Sequence, residues 1–273
     1  MAFLRTVLQI LDTQVENAPQ PWGSFHIVSL VLAVLAGVGL CLWLKKPTGK
    51  QVRRVVLAVT LTVILLEIYK QISFTFSVNG DTIEGSYPWY IFPWQFCSTP
   101  MYVGLLASFT KGKLHRASCA YLSSFSLFAG LAVMFYPTTV FTNTLGVNIQ
   151  TMVCHGTMIT LGIWLLATGY VKAEPKTILR AAAVFAVMVG IAVALNEWAY
   201  RVGIAPAHFF NMFYVSPYCD PHLPVYSLIQ PIVPFPWSLV LYILGFTVAA
   251  SVPVALAWVA FKLLTKPTEK VKL

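Results

Sequence analysis

WYIFPWQFCSTPMYVGLLASFT, residues Trp89–Thr110, is apolar and long enough to cross a bilayer, yet from Pro93 to Pro100 it holds two prolines, an amide and a thiol. In hydrocarbon every backbone polar group needs an internal partner, and proline removes one donor and displaces the carbonyl four residues earlier. Pro100 therefore frees the carbonyl of Phe96, and Pro93 ends or restarts the helix. With Pro93 at the first helical position, Cys97 lies one turn inside a helix start, and the amides of Trp94 and Gln95 are free to face a developing oxyanion.

The rest of the chain places this stretch in a membrane. Its 273 residues are 58% hydrophobic and 10% charged, with a mean hydropathy of +0.75, outside the range of a soluble domain. Apolar runs able to cross roughly 30 Å of hydrocarbon fall at about residues 25–44, 54–76, 89–110, 117–136, 149–171, 177–200 and 236–264. The expected fold is all-α, a polytopic bundle of seven transmembrane helices. Residues 1–24 form an amphipathic segment, 25–264 the membrane domain and 265–273 a basic cytoplasmic tail.

Lysine and arginine set the orientation, because short loops retain them on the cytoplasmic side. They cluster at Lys45–Arg54, Lys111–Arg116, Lys172–Arg180 and Lys262–Lys272, whereas only Arg5, Lys70 and Arg201 fall opposite. This predicts an outside N-terminus and a cytoplasmic C-terminus. The same bias accounts for the net charge of +9 as headgroup-facing charge, and no nucleic-acid module is present to suggest another use. Cys41, Cys97, Cys119, Cys154 and Cys219 are scattered without CxxC spacing, so neither a disulfide framework, a metal site nor a cofactor is indicated. The first apolar segment follows acidic residues and is too long for a signal-peptide core.

Polar residues inside spans are costly and mark function or structural pairing. Glu67, Lys70 and Gln71 share one face of the second span, as an outward-snorkelling ion pair or as part of a site. The connector NGDTIEGSYPWY reads as turn-rich, with an aromatic belt. His26 is expected to be structural, and the serines at 118, 123, 124 and 126 to serve helix packing and back-bonding. In the fifth span Asn148, Thr151 and His155 share a face, while Cys154 points elsewhere. Asn196 and Glu197 close the sixth span, with Arg201 placed to pair with Glu197. The long proline-rich loop 201–234 carries Asn211 and caps the bundle.

Depth unites these groups. At ~1.5 Å per residue, Cys97 lies roughly 10 Å below the outer start of its span and His155 about 9 Å below its own, with Glu67 and Glu197 also in the outer half. A thiolate beside an imidazole is a nucleophile. Cys97 would attack and His155 act as base, oriented by Glu67 or Glu197, with Gln95 and Asn196 offering polar contacts and Asn211 covering the site. A histidine satisfied by Thr151 or a backbone carbonyl, and a cysteine that merely packs, is the structural alternative.

EIYKQ (67–71), FPWQFCSTPMY (92–102), CHGTMI (154–159) and FFNMFYVSP (209–217) resemble, in order and spacing, the YwaF-like integral membrane proteins over roughly residues 60–245. That family is similar to an animal seven-span acyltransferase that moves polyunsaturated acyl chains among ether phospholipids. The resemblance implies Cys97 as nucleophile, His155 as base, membrane lipids as partners and a bacterial plasma membrane as the location. A more distant family of heptahelical lipid hydrolases is similar in using a threonine with a histidine. In the animal pattern a histidine follows the cysteine directly, whereas here Ser98 follows. The expected function is acyl transfer or acyl-ester hydrolysis in the outer-leaflet half of the bundle. Its rival is a non-catalytic binding or transport protein with an outward-facing polar cavity.

Overall fold

The computed structural model describes residues 2–137, 140–205, 207–220, 223 and 225–264, so the basic tail expected at 265–273 lies outside the described residues. In chain order the elements are α1 (Ala2–Leu11), α2 (Ser24–Trp43), α3 (Gly49–Thr75), β1 (Phe76–Asn79), β2 (Thr82–Gly85), α4 (Thr99–Phe109) and α5 (Gly112–Tyr121). There follow α6 (Leu127–Phe135), α7 (Leu145–Ala167), α8 (Pro175–Arg201), α9 (Tyr226–Ile229) and α10 (Trp237–Leu264). A π turn, Leu122–Ser126, joins α5 to α6 in one continuous helix.

Among the described residues, six helices are long and apolar enough to cross a membrane: α2, α3, α5–α6, α7, α8 and α10. The third expected span is not a full helix. After a 3-10 turn at Trp89–Ile91 the chain is irregular to Ser98, and α4 has 11 residues, roughly 16 Å, about half the hydrocarbon thickness. Prolines decide this. The helix can begin only where Pro100 falls in its first turn, where a missing N–H removes no helical bond. Cys97 thus stands just before the helix, not one turn inside a helix begun at Pro93.

Small residues set the closest approaches. Ala33 and Gly37 of α2 face Gly156 and Thr160 of α7, and the Thr160 hydroxyl donates to the Ala33 carbonyl at 3.1 Å. A Cβ at Gly104 would sit 2.1 Å from Thr60 Oγ1, and one at Gly130 would sit 2.9 Å from the His155 carbonyl. Ser123 and Ser124 donate to the Ala120 carbonyl at 3.1 and 2.6 Å, the expected back-bonding, at the point where the helix widens into the π turn.

The end of the bundle remote from the lysine-rich loops is stitched together. α1 is present as a short helix, its Arg5 paired with Asp81, and Tyr69 donates to the Leu11 carbonyl at 2.7 Å. Gln14 bridges Thr144 in backbone pairing. The connector after α3 proves to be an antiparallel hairpin, Phe76 opposite Gly85 and Asn79 opposite Thr82, with a two-residue turn at Gly80-Asp81 in which Gly80 stands at φ +57°. Glycine at the first central position supplies the positive φ that a two-residue hairpin turn needs.

Candidate functional site

Cys97 is held in place by its neighbours. Phe96 lies against Phe185, Phe213 and Phe246 at ring separations of 5.2, 5.8 and 5.3 Å. Such pairs are each worth about 0.5–1.5 kcal/mol beyond their burial. The Phe96 carbonyl freed by Pro100 accepts from the Thr99 hydroxyl at 2.9 Å, and Tyr121 Oη stands 2.7 Å from that hydroxyl. Trp94 N–H is already committed to the Phe92 carbonyl at 2.7 Å, so the expected oxyanion role of that amide does not hold.

Cys97 is exposed, and it lines a hollow between helices. Val59, Thr60 and Val63 of α3, Pro100 and Met101 of α4, and Leu122 and Ser126 of the π turn line this hollow together with Cys154, Thr157, Met158 and Leu161 of α7. Its free space is about 20 Å³, room for roughly one water molecule. The lining is mostly carbon. Cys154, expected to point elsewhere, shares the hollow with Cys97, whereas His155 does not line it.

His155 is 6% exposed. Its Nδ1 donates to the Thr151 carbonyl at 2.7 Å, which fixes the tautomer and leaves Nε2 as an acceptor; that nitrogen is buried without a hydrogen-bond partner. No hydrogen bond joins it to Cys97. Because α7 starts at Leu145, His155 lies ten residues in, roughly 15 Å along the axis and deeper than the sequence suggested.

Between the two runs a polar network. Glu67 accepts from Lys70 at 2.8 Å and Gln71 at 2.8 Å through one oxygen, and from Gln150 at 3.5 Å through the other. Gln150 also donates to Cys154 Sγ at 3.4 Å, and Tyr87 donates to Gln71 at 2.8 Å. Lys70 lies within electrostatic reach of both Cys97 and His155. Glu67 therefore belongs to the neighbourhood of the thiol but does not touch the imidazole it was expected to orient.

Gln95, Asn196 and Asn211 come together for another purpose. Gln95 donates to the Asn211 carbonyl and accepts from the Phe213 amide, both at 3.0 Å. Asn196 grips Met212 in the same two-handed way at 3.0 and 2.7 Å. Asn211 Oδ1 accepts from the Ser216 amide at 2.9 Å, and its Nδ2 is buried without a partner. These amides clamp a loop segment in which Phe209, Phe213 and Tyr214 adopt positive φ, a strained conformation that the clamps hold. Glu197 stands apart. It is half-buried, accepts from Arg201 at 2.7 Å as expected and from Tyr218 at 2.5 Å, and has no hydrogen bond to His155. At 39% side-chain exposure the pair is a surface pair. The Tyr218 phenol is pushed up by its hydrogen bond to Glu197.

The sequence reading overlooked Gln150 and turned Cys154 away from the site, although their i, i+4 spacing places them on one face of α7. Among the described residues no group of three or more His, Cys, Asp or Glu side chains is arranged to hold a metal ion. The site offers one accessible thiol, one buried imidazole acceptor, a nearby ammonium and an apolar hollow.

No curated protein and no solved structure matches the chain. The model of the TMEM164 family, a family of membrane proteins, matches residues 21–256, which include α2 through most of α10 and every candidate site residue. With that span matched, the chain belongs to the TMEM164 family.

Proposed function

We propose that this protein is a membrane-embedded lipid acyltransferase or acyl-ester hydrolase, with Cys97 as nucleophile and His155 as base. One observation carries the reading: His155 Nε2 is buried and unpartnered while Nδ1 is fixed on the Thr151 carbonyl. An unpaired buried acceptor costs about 1–3 kcal/mol, and a purely structural histidine avoids that cost. His26 does so, accepting from the Trp22 amide at 3.0 Å and bonding the Met134 carbonyl at 2.9 Å.

In the reaction, Cys97 Sγ attacks the ester carbonyl carbon and its proton passes to His155 Nε2. The carbon–oxygen bond breaks, the leaving alkoxide takes that proton, and a thioester remains on Cys97. An acceptor hydroxyl, or water, then attacks; its proton goes to His155, the carbon–sulfur bond breaks and the thiolate is reprotonated. Cys97 and His155 must close on the substrate for this, as catalytic hydrogen bonds often do only in the bound complex. Lys70 stands within reach of the developing negative charge.

The likeness of the motifs to YwaF-like proteins and to the animal acyltransferase supports the same chemistry. The reading carries the seven-span arrangement with the N-terminus outside, α4 and its irregular lead-in serving as the third crossing, in a bacterial plasma membrane. Purified protein in nanodiscs, given a phospholipid donor, should gain a hydroxylamine-labile acyl mass on Cys97. An adduct that persists in Cys97→Ala would remove the proposal.

A binding or transport role is favoured by a different feature, a cleft of about 560 Å³ lined by Tyr90, Gln95, Asn211, Tyr214, Tyr218 and Asp220. On that reading Glu67→Gln abolishes ligand uptake and Cys97→Ala is tolerated.

A further inference from the structure

A long groove runs along the outside of the bundle between α2 and α3, with α7 as its floor. α2 packs along α7 and makes little contact with α3, so the two helices stand apart. The gap encloses about 820 Å³. Its lining extends along α2 from Ser24 to Leu40, roughly 24 Å at ~1.5 Å per residue and most of the hydrocarbon thickness. Val28 and Leu32 on its rim are 56% and 60% exposed within a span long enough to cross the membrane.

The wall is made of hydrocarbon, and its hydroxyls are turned inward on the backbone. Ser29 donates to the Phe25 carbonyl at 2.8 Å, Thr157 to the Cys154 carbonyl at 2.8 Å and Thr160 to the Ala33 carbonyl at 3.1 Å. A groove finished this way has little to offer a polar solute. Val59 and Thr157, both half-buried, line the groove and the Cys97 hollow alike. These two side chains are common to the wall of the bilayer-facing groove and that of the hollow at the thiol.

We infer that this groove seats one long acyl chain of a membrane phospholipid, which reaches the Cys97 hollow by displacing Val59 and Thr157. The inference rests on the acyl-transfer reading for its purpose and on the groove for its geometry. The chain enters sideways from the bilayer, parallel to α2, and its carboxyl end passes between α3 and α7. Chain length is then selected by the groove. A donor too short to fill it gains no binding from α2.

The experiment uses the full chain in nanodiscs with a phosphatidylcholine carrying a photoactivatable diazirine near the end of one acyl chain. Crosslinks should concentrate on α2, α3 and α7, persist in Cys97→Ala, and fall several-fold in Ala36→Trp, which fills the groove from an exposed position; Ala36→Leu should fall less. Equal labelling over α8 and α10, unaffected by either variant, would overturn the inference. A second arm compares thioester formation on Cys97 from long-chain and butanoyl donors. Ala36→Trp should suppress the former and spare the latter, and equal retention of both also overturns the groove. If neither donor acylates Cys97 in the wild type, the acyl-transfer reading fails, while the crosslink pattern still decides the groove.

Discussion

Two cysteine–histidine pairs sit in this bundle, and they are finished in opposite ways. At the lysine-rich end, His115 Nδ1 donates to the Ala107 carbonyl at 2.6 Å, and Nε2 faces Tyr170 Oη at 2.7 Å and Cys119 Sγ at 3.6 Å. Cys119 is 1% exposed. Every polar atom of that imidazole is used, and although Cys119 borders a cleft of about 270 Å³ it presents almost no surface to it. In the other pair Cys97 is exposed beside a small hollow, and His155 has a buried nitrogen with no hydrogen-bond partner. By contact distance alone the His115–Cys119 pair resembles a catalytic dyad. Saturation argues the reverse, because a fully bonded network holds helices together while an incomplete one is poised for a ligand.

The largest effect expected from this contrast concerns the thiols. Cys97→Ala should reduce acyl-adduct formation by ~10³-fold or more, the scale of removing a covalent nucleophile. Cys119→Ala should leave it at the wild-type level. Intact-protein mass spectrometry after a timed exposure to donor lipid measures both. Equal loss in the two variants would break the comparison by making the saturated pair the reactive one.

The histidines should separate activity from stability. His155→Gln is expected to slow acylation by ~10²–10⁴-fold, the usual contribution of general base catalysis, and to leave the thermal transition in detergent nearly unmoved. His115→Gln should do the opposite. It strands the Ala107 carbonyl and the Tyr170 hydroxyl, at about 1–3 kcal/mol for each buried group left unpaired, and leaves acylation of the surviving protein unchanged.

How far the sequence carried this contrast depends on what each residue had to reveal. The long helices were legible, because hydrocarbon demands unbroken apolar runs and α2, α3, α7, α8 and α10 all fall within a few residues of their expected bounds. Pro93 and Pro100 marked the break, and of the two it is Pro100 that falls in the first helical turn, with Phe96 packed in the aromatic core ahead of it. Depth was legible to within one or two turns. Rotation about the helix axis was not, and so Cys154 and His155, adjacent in sequence, were assigned to the wrong sides of the hollow. Gln95 and Asn196 were expected to offer polar contacts at the reactive site, whereas their hydrogen bonds go to backbone atoms of a distant loop, which no spacing predicts.

That loop supplies a third test. Asn196→Ala removes both bonds to Met212, leaving its amide unpaired while its carbonyl keeps the 3.4 Å bond from the Val215 amide, an expected loss of about 1–3 kcal/mol. Limited proteolysis within 207–220 should accelerate accordingly. If acylation falls along with the loop's order, the clamp belongs to the reactive region; if only the loop loosens, it serves the cap alone.

The smallest effect is expected at Tyr170, and it sharpens the contrast most cleanly because it alters a single atom. Tyr170→Phe takes the hydroxyl from His115 Nε2 and leaves Cys119 as its neighbour, a net loss of about 1 kcal/mol for one hydrogen bond. The phenol is raised above its ordinary value of 10.0, chiefly by burial, with Cys119 adding to the rise and Arg53 opposing it. A group whose folded pKa lies above its unfolded one stabilises the fold fully below the unfolded value and loses that contribution as pH rises through the folded one. The stability gap between wild type and Tyr170→Phe should therefore be constant through neutral pH and shrink above about pH 10. A gap that instead opens with rising pH would mean that the tyrosinate is the favoured partner of His115, and the lysine-rich pair could no longer be read as a saturated, neutral network.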